Sequence, residues 1–299
     1  MTKKILLTIA GLVLIAMLYM QFGKTEHNSV HTTLEETAAG TVSADVPSVE
    51  SVEPKAPQPE PISDLRTAFE RSDDLYALMD AHARSNSAES LWLISKIADY
   101  CAEFGRNPTG YVSDSQLEHV VSSADPKSYQ AARLKVSHRC RGFVAGEAKD
   151  DITHAALLVH KTRAARAGSL AAEAALLSQR APLSADTEYL KNVVRRVLDS
   201  MDPDAYAALS MAMVDGRLSP LIQEEMSGLI DGQNGIYAWY LAACRLGLDC
   251  TRNGALMTRL CTETFFCRQE SFERMVFNQE LSLVESEKIR RMVLILTRK

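Results

Sequence analysis

The feature that most limits what this chain can fold into is an apolar run near its start. Ile5 to Phe22 is eighteen residues without a charge or a proline, and Lys3 and Lys4 precede it. As a helix it would be about 27 Å long, close to the roughly 30 Å hydrocarbon core of a bilayer. A cleaved signal needs a small-x-small site beyond a shorter apolar core. Leu18-Tyr19-Met20-Gln21-Phe22 offers no such pair, and no cysteine stands just after the run to carry a lipid. The expectation is an uncleaved single-span anchor over residues 5–22, with residues 1–4 as a short cytoplasmic end. Lys3 and Lys4 face an acidic tract beyond Lys24, so the positive-inside rule exports the remainder. That makes a single-pass membrane protein with most of its chain extracytoplasmic, periplasmic in a bacterium.

Residues 23–61 then read as a linker. Between Thr25 and Pro61 lie seven acids, one lysine, five prolines and no aromatic residue. Such a segment buries too little apolar surface to offset its ordering entropy, so a disordered acidic spacer is expected. Pro54, Pro57, Pro59 and Pro61 give it a polyproline-like end.

Residues 62–299 are long enough for one large domain or two small ones. Setting aside the tether's −6 and the three lysines Lys3, Lys4 and Lys24, the chain's net charge of −5 leaves −2 for this part. A near-neutral domain gives no electrostatic reason to expect nucleic acid. Helix signals run nearly throughout. Asp125-Pro126, Asp202-Pro203 and Ser219-Pro220 each set an N-cap residue before a proline at the first helical position. Ser282 and Glu285 form a capping box ahead of an apolar stripe. Gly105, Gly168, Gly216 and Gly247 stand where helices should stop. No bounded run alternates apolar and polar residues as a strand would. The fold expected is all-α: about ten helices of 9–18 residues in an irregular multi-helix domain, or its repeat-derived variant, an α-solenoid-like array.

Six cysteines on the exported side are an even set where disulfides persist. Cys244 and Cys250 are separated by five residues, as are Cys261 and Cys267, and each pair begins at a predicted helix end. Local staples Cys244–Cys250 and Cys261–Cys267 are favoured, with Cys101–Cys140 as the third bond. The crossed arrangement, Cys244–Cys261 with Cys250–Cys267, stays open at this stage. Structural zinc usually holds cysteine pairs two to four residues apart, so these spacings point to no metal, and C-x-x-C is absent.

Chemistry-bearing patterns are few. There is no G-x-S-x-G, H-E-x-x-H, phosphate loop or G-x-G-x-x-G, so neither catalytic residues nor a cofactor are assigned. Asp231-Gly232-Gln233-Asn234-Gly235 lacks the acids of a calcium loop and reads as a turn. His154 and His160 fall on different faces of one helix, and His138 is expected in solvent. Lys191, Arg195 and Arg196 read as a solvated basic face. Trp92, Trp239 and Tyr240 sit at helical spacing beside apolar residues and read as core.

Three stretches carry family likenesses. Ala164 to Leu177, with Gly168 between two alanine-rich segments, resembles the helix-turn-helix corner of Sel1 and tetratricopeptide repeats, which implies paired helices that present a groove. Trp239 through Cys267 resembles the tails of uncharacterised helical proteins of the bacterial envelope. Glu89-Ser90 and Glu270-Ser271 are similar to the glutamate-serine step of lytic transglycosylases, all-α enzymes in which one glutamate is both acid and base. That family's Gly-Leu-Met-Gln and Ala-Tyr-Asn segments do not follow here. The function expected is a non-enzymatic interaction or scaffold protein, attached to the membrane through residues 5–22 and engaging a protein or peptide. The alternative is a peptidoglycan-cleaving enzyme of unrecognised type.

Overall fold

The computed structural model describes residues 62–114, 125–144, 150–214, 232–278 and 281–298. The expected anchor, the tether, the Ser219-Pro220 helix start and Gly216 lie outside the described residues. Among those described, no helix is long and apolar enough to cross a membrane. They are all-α, with no strand and a single isolated bridge between Thr251 and Ser271.

The helices are α1 Ile62–Arg71, α2 Leu75–His82, α3 Ala88–Arg106, α4 Pro108–Asp114, α5 Pro126–Arg139, α6 His154–Arg166 and α7 Leu170–Ser178. They continue as α8 Thr187–Ser200, α9 Pro203–Ser210, α10 Gly232–Arg245, α11 Ala255–Thr264, α12 Phe272–Phe277 and α13 Leu283–Leu296. Short 3-10 turns follow α5 at Arg141–Val144 and α9 at Met211–Val214. The expectation of about ten helices of 9–18 residues is corrected here. Thirteen α-helices are described, from the six residues of α12 to the nineteen of α3. Caps within apparently continuous helical sequence divide it, as Ser72 and Asp74 do between α1 and α2.

The organising element is α7. Every residue from Ala171 to Leu177 is buried, so the helix has water on neither long face. Ala172 and Leu176, one turn apart, belong to a core that gathers Leu75, Ile97, Cys101 and Phe143. Ala171, Ala174 and Leu177 belong to a second core, with Val193, Tyr206, Trp239 and Ile289. Alanines give neighbouring helices close approach while keeping good helix propensity. The second core is tied across three helices by the Tyr206 hydroxyl, which contacts the carbonyls of Leu198 and Leu296 at 3.0 Å each.

Side-chain caps explain most helix starts. Ser87, Thr153, Ser169, Asp186, Asp202 and Ser271 each accept a backbone N–H two or three residues on. The Ser282–Glu285 capping box is complete. Among the described N-caps the exception is that of α11, Gly254, which offers no side-chain cap. Glu70 of α1 supplies the acceptor instead, taking the Ala255 N–H at 2.9 Å. Helix ends are met from afar as well. Arg139 donates to the carbonyls of Phe69 and Ser72 behind α1, and Arg133 donates to Tyr111 O through Nε at 3.0 Å and Nη2 at 2.8 Å. Both guanidiniums are buried and stacked on aromatic rings, Arg133 at 3.6 Å from the Tyr111 centroid.

Gly168 (φ +100°) and Gly247 (φ +113°) end α6 and α10 in the left-handed conformation. The next N–H reaches back in each case, Ser169 to Ala164 O and Leu248 to Ala243 O, both at 3.0 Å. Gly105 is different. It lies inside the last turn of α3, where an added Cβ would collide with Ile152. Its role is close packing rather than helix termination. The Asp231–Gly235 turn is also corrected, since residues 232–235 open helix α10.

Three disulfides fasten the domain in the local arrangement: Cys101–Cys140, Cys244–Cys250 and Cys261–Cys267. The first joins α3 to the C-cap of α5, fully buried, with 39 residues of separation. The others close over the ends of α10 and α11. Loop entropy makes the long bond the larger contribution, about 4 kcal/mol against roughly 2.4 for each short one. Replacing Cys101 and Cys140 by alanine together is expected to lower unfolding free energy in urea by about 4 kcal/mol. The Cys244/Cys250 pair of substitutions is expected to cost clearly less.

Candidate functional site

A cavity of about 260 Å³ opens between α1, α3, the α6–α7 corner and the start of α9. Glu89, Trp92 and Lys96 line it from one face of α3, at the three- and four-residue spacing that aligns side chains along a helix. The opposite stripe of α3, through Leu91, Ile94, Ala98 and Cys101, is buried. Leu65 and Arg66 come from α1, Leu170 from the first turn of α7, and Asp202 and Asp204 from the start of α9.

The charged wall is built around Asp204, whose side chain is only 7% exposed. Lys96 Nζ donates to its Oδ1 at 2.9 Å and Arg66 Nε to its Oδ2 at 3.2 Å. Asp202 Oδ1 receives Arg66 Nη2 and the Asp204 backbone N–H, both at 3.1 Å. Asp202 is thus both the N-cap of α9 and an ion-pair partner of α1. Burial works to raise the Asp204 carboxyl, but the Lys96 and Arg66 charges outweigh it and hold the group below its ordinary range. Asp202 is pushed the other way, by its own burial and then by the Asp204 charge, against Arg66 and Lys96. Opposite shifts on neighbouring carboxyls occur at catalytic sites and in purely structural ion-pair networks alike. Here the Asp204 oxygens are both taken by cations, and the network locks α1, α3 and α9 together.

Other sequence-singled residues fall apart in space. Glu270 is exposed and paired with Arg274 at 2.6 Å, away from the cavity that Glu89 lines. Trp239 is core, 1% exposed and packed on the Tyr206 ring at 5.0 Å. Tyr240 packs on Phe272 at 5.3 Å. Trp92 is corrected from a core residue alone to a cavity wall that also touches both cores. The solvated basic face is corrected too. Arg196 reaches inward to the buried Glu173 of α7 with a two-pronged contact at 3.1 and 3.0 Å, joined by the Tyr189 hydroxyl at 3.1 Å. His138 and His154 are exposed, whereas His160 is partly buried, 3.8 Å from Asp151, and its burial lowers its pKa.

The cysteines are all bonded. Among the described residues no group of three His, Cys, Asp or Glu side chains is placed to hold a metal ion. A smaller cavity of about 170 Å³ lies beside Cys261–Cys267 and under Phe266. Its cations are engaged, Lys135 with Asn253 O and Arg252 with Ser128 Oγ at 2.9 Å.

Arg66, Lys96 and Asp204 escaped sequence analysis. Asp202-Pro203 announced a helix start, but Arg66 reaches Asp204 across 138 residues and Lys96 across 108. No local pattern carries a pairing of that span. No protein-family model, curated protein or solved structure matches the chain.

Asp204→Asn removes a buried charge that two half-buried cations share, and is expected to cost about 3 kcal/mol at neutral pH. A depressed carboxyl contributes stability above its unfolded value and loses it as pH falls through the folded one. Asp99, lying between Lys161 at 2.8 Å and Arg259 at 3.0 Å, is depressed in the same sense, those charges overcoming its burial. Asp202 and Glu70, both raised chiefly by burial, have the opposite sign and are relieved by protonation first. The contribution of these two carboxylates should therefore be lost only below pH 3.8, the ordinary value for Asp99 and Asp204. In urea melts across pH, the gap between wild type and Asp204→Asn should narrow in that same window.

Proposed function

We propose that residues 62–299 form a non-enzymatic interaction module, held to the membrane by residues 5–22 and presenting a groove to a protein or peptide outside the cytoplasm. The observation that carries this reading is the 260 Å³ cavity, with its apolar side at Leu65, Trp92 and Leu170 and walls fixed by the Asp204 ion pairs. A rigid, partly apolar depression rimmed by polar groups is what peptide-binding surfaces use, because little ordering is left to oppose association. Three disulfides support an oxidising surrounding. The tether expected at 23–61 would let the domain search for its partner.

The test is a photo-crosslinking amino acid placed at Leu170 in the full-length protein in its cells. A discrete adduct is expected there and not from position 134, where Leu134 is 48% exposed but lies outside the cavity. The same adduct pattern from both positions, or none, would overturn the reading. The thiols of the domain should also resist alkylation in unreduced membranes. Six reactive cysteines would place it in a reducing compartment.

A second reading keeps one specific observation in its favour: Glu89 shares the cavity with Asp202 and Asp204. A glycan-cleaving enzyme built on that glutamate would release fragments from purified peptidoglycan, and Glu89→Gln would abolish the release. Undigested peptidoglycan with folded wild-type protein disposes of it.

A further inference from the structure

The charges around the cavity do not balance. Three carboxylates line it, Glu89, Asp202 and Asp204, against two cations, Arg66 and Lys96. Both cations are committed: Arg66 spans the two aspartates and Lys96 holds Asp204. The Glu89 side chain forms no hydrogen bond or ion pair with any described residue. Asp202 keeps its Oδ2 outside the network, and burial, then the neighbouring Asp204 charge, raises its carboxyl against Arg66 and Lys96. One negative charge in excess is therefore left at a partly desolvated surface, where an opposite charge is attracted more strongly than in open water.

Shape narrows the occupant. At about 260 Å³ the cavity is smaller than the roughly 300–1,000 Å³ of pockets that engulf a whole drug-sized molecule. It is suited to one side chain. Trp92 stands one turn beyond Glu89 on the same face of α3, and Leu65, Leu93 and Leu170 complete an apolar side. An aliphatic stem lies well along such a surface while its charged end reaches a polar rim, and an indole face attracts a cation directly. An anionic group would meet Glu89 and would have to displace Asp204 from both of its cations.

We propose that the groove receives a lysine side chain of a protein or peptide partner, its ammonium taken by Glu89 and Asp202 and its stem by Trp92 and the leucines. This rests on the interaction-module reading and names the chemistry that module selects.

The chain has two tryptophans, so 5-fluorotryptophan labelling gives two fluorine resonances, with Trp239 as a buried internal reference. Trp92→Phe assigns them. The full-length labelled protein in zwitterionic nanodiscs is titrated with Nα-acetyl-lysine methylamide, and in parallel with the norleucine and glutamate equivalents. The expected result is a saturable shift at Trp92 with the lysine compound alone, with Trp239 unmoved. The norleucine compound, which keeps the stem and lacks the charge, should be at least about tenfold weaker, and Glu89→Gln should weaken lysine binding by a similar factor. Glu89 has no described partner to lose, and an unmoved Trp239 resonance confirms that the variant is folded. Equal binding of lysine and norleucine compounds, or tighter binding of the glutamate compound, overturns the lysine assignment while leaving a groove that binds peptides. No saturable shift by about 50 mM of any compound also overturns it. The Leu170 crosslink then decides the broader reading independently.

Discussion

Two hydrophobic cores meet on a single nine-residue helix because its side chains are small enough for both to reach its backbone. In α7 the alanines at 171, 172, 174 and 175 are all buried, and the leucines at 176 and 177 point one into each core. A larger residue at an alanine position would force the cores apart, at the 1–3 kcal/mol typical of overpacking. The same crowding explains Glu173. A carboxylate on a helix without a wet face survives only because Arg196 grips it with two hydrogen bonds and Tyr189 adds a third. Burial, then the Glu173 charge and hydrogen bond, push the Tyr189 hydroxyl up to about 12 against the opposing charge of Arg196.

The cavity inherits its rigidity from this arrangement. The corner at Gly168 turns α6 into α7 and sets Ser169 and Leu170 on the rim, while α9 packs against α7 and brings Asp202 and Asp204 to face α3. Desolvating Asp204 is costly, and the two cations offset that cost only if α1 and α3 stand where they do. The site is thus a by-product of packing as much as a surface feature. The committed cations leave Glu89 and the free oxygen of Asp202 as the accessible charge.

Much of the fold was legible in local sequence. The N-caps at Asp125, Asp202 and Ser282, the left-handed glycines 168 and 247, and the local pairing of the late cysteines all follow from interactions within a few residues. What stayed hidden acts at a distance or breaks a local rule. Phe265 ends α11 at φ +64°, a conformation its side chain does not advertise. Glu70 caps a helix 185 residues away, and Arg139 closes one 67 residues away. The cavity belongs to this second class, since its walls come from four separate stretches and its central carboxylate, Asp204, carries no local mark of its distant partners. Glu89 stands out locally only by a two-residue likeness, and Trp92 by hydrophobicity. Neither signal indicated that they share a wall.

The long disulfide has a consequence for how the domain would meet proteases. Cys101 and Cys140 are the only covalent link, apart from the backbone, between the segment before residue 102 and the segment after residue 139. A single backbone cut between residues 107 and 139 yields two pieces still joined through sulfur, so α1–α3 stay attached to the helices that complete their core. Such a clipped protein would migrate as one species until a reductant is added and as two afterwards. Loss of integrity would then be dictated by thiol chemistry rather than by cleavage itself.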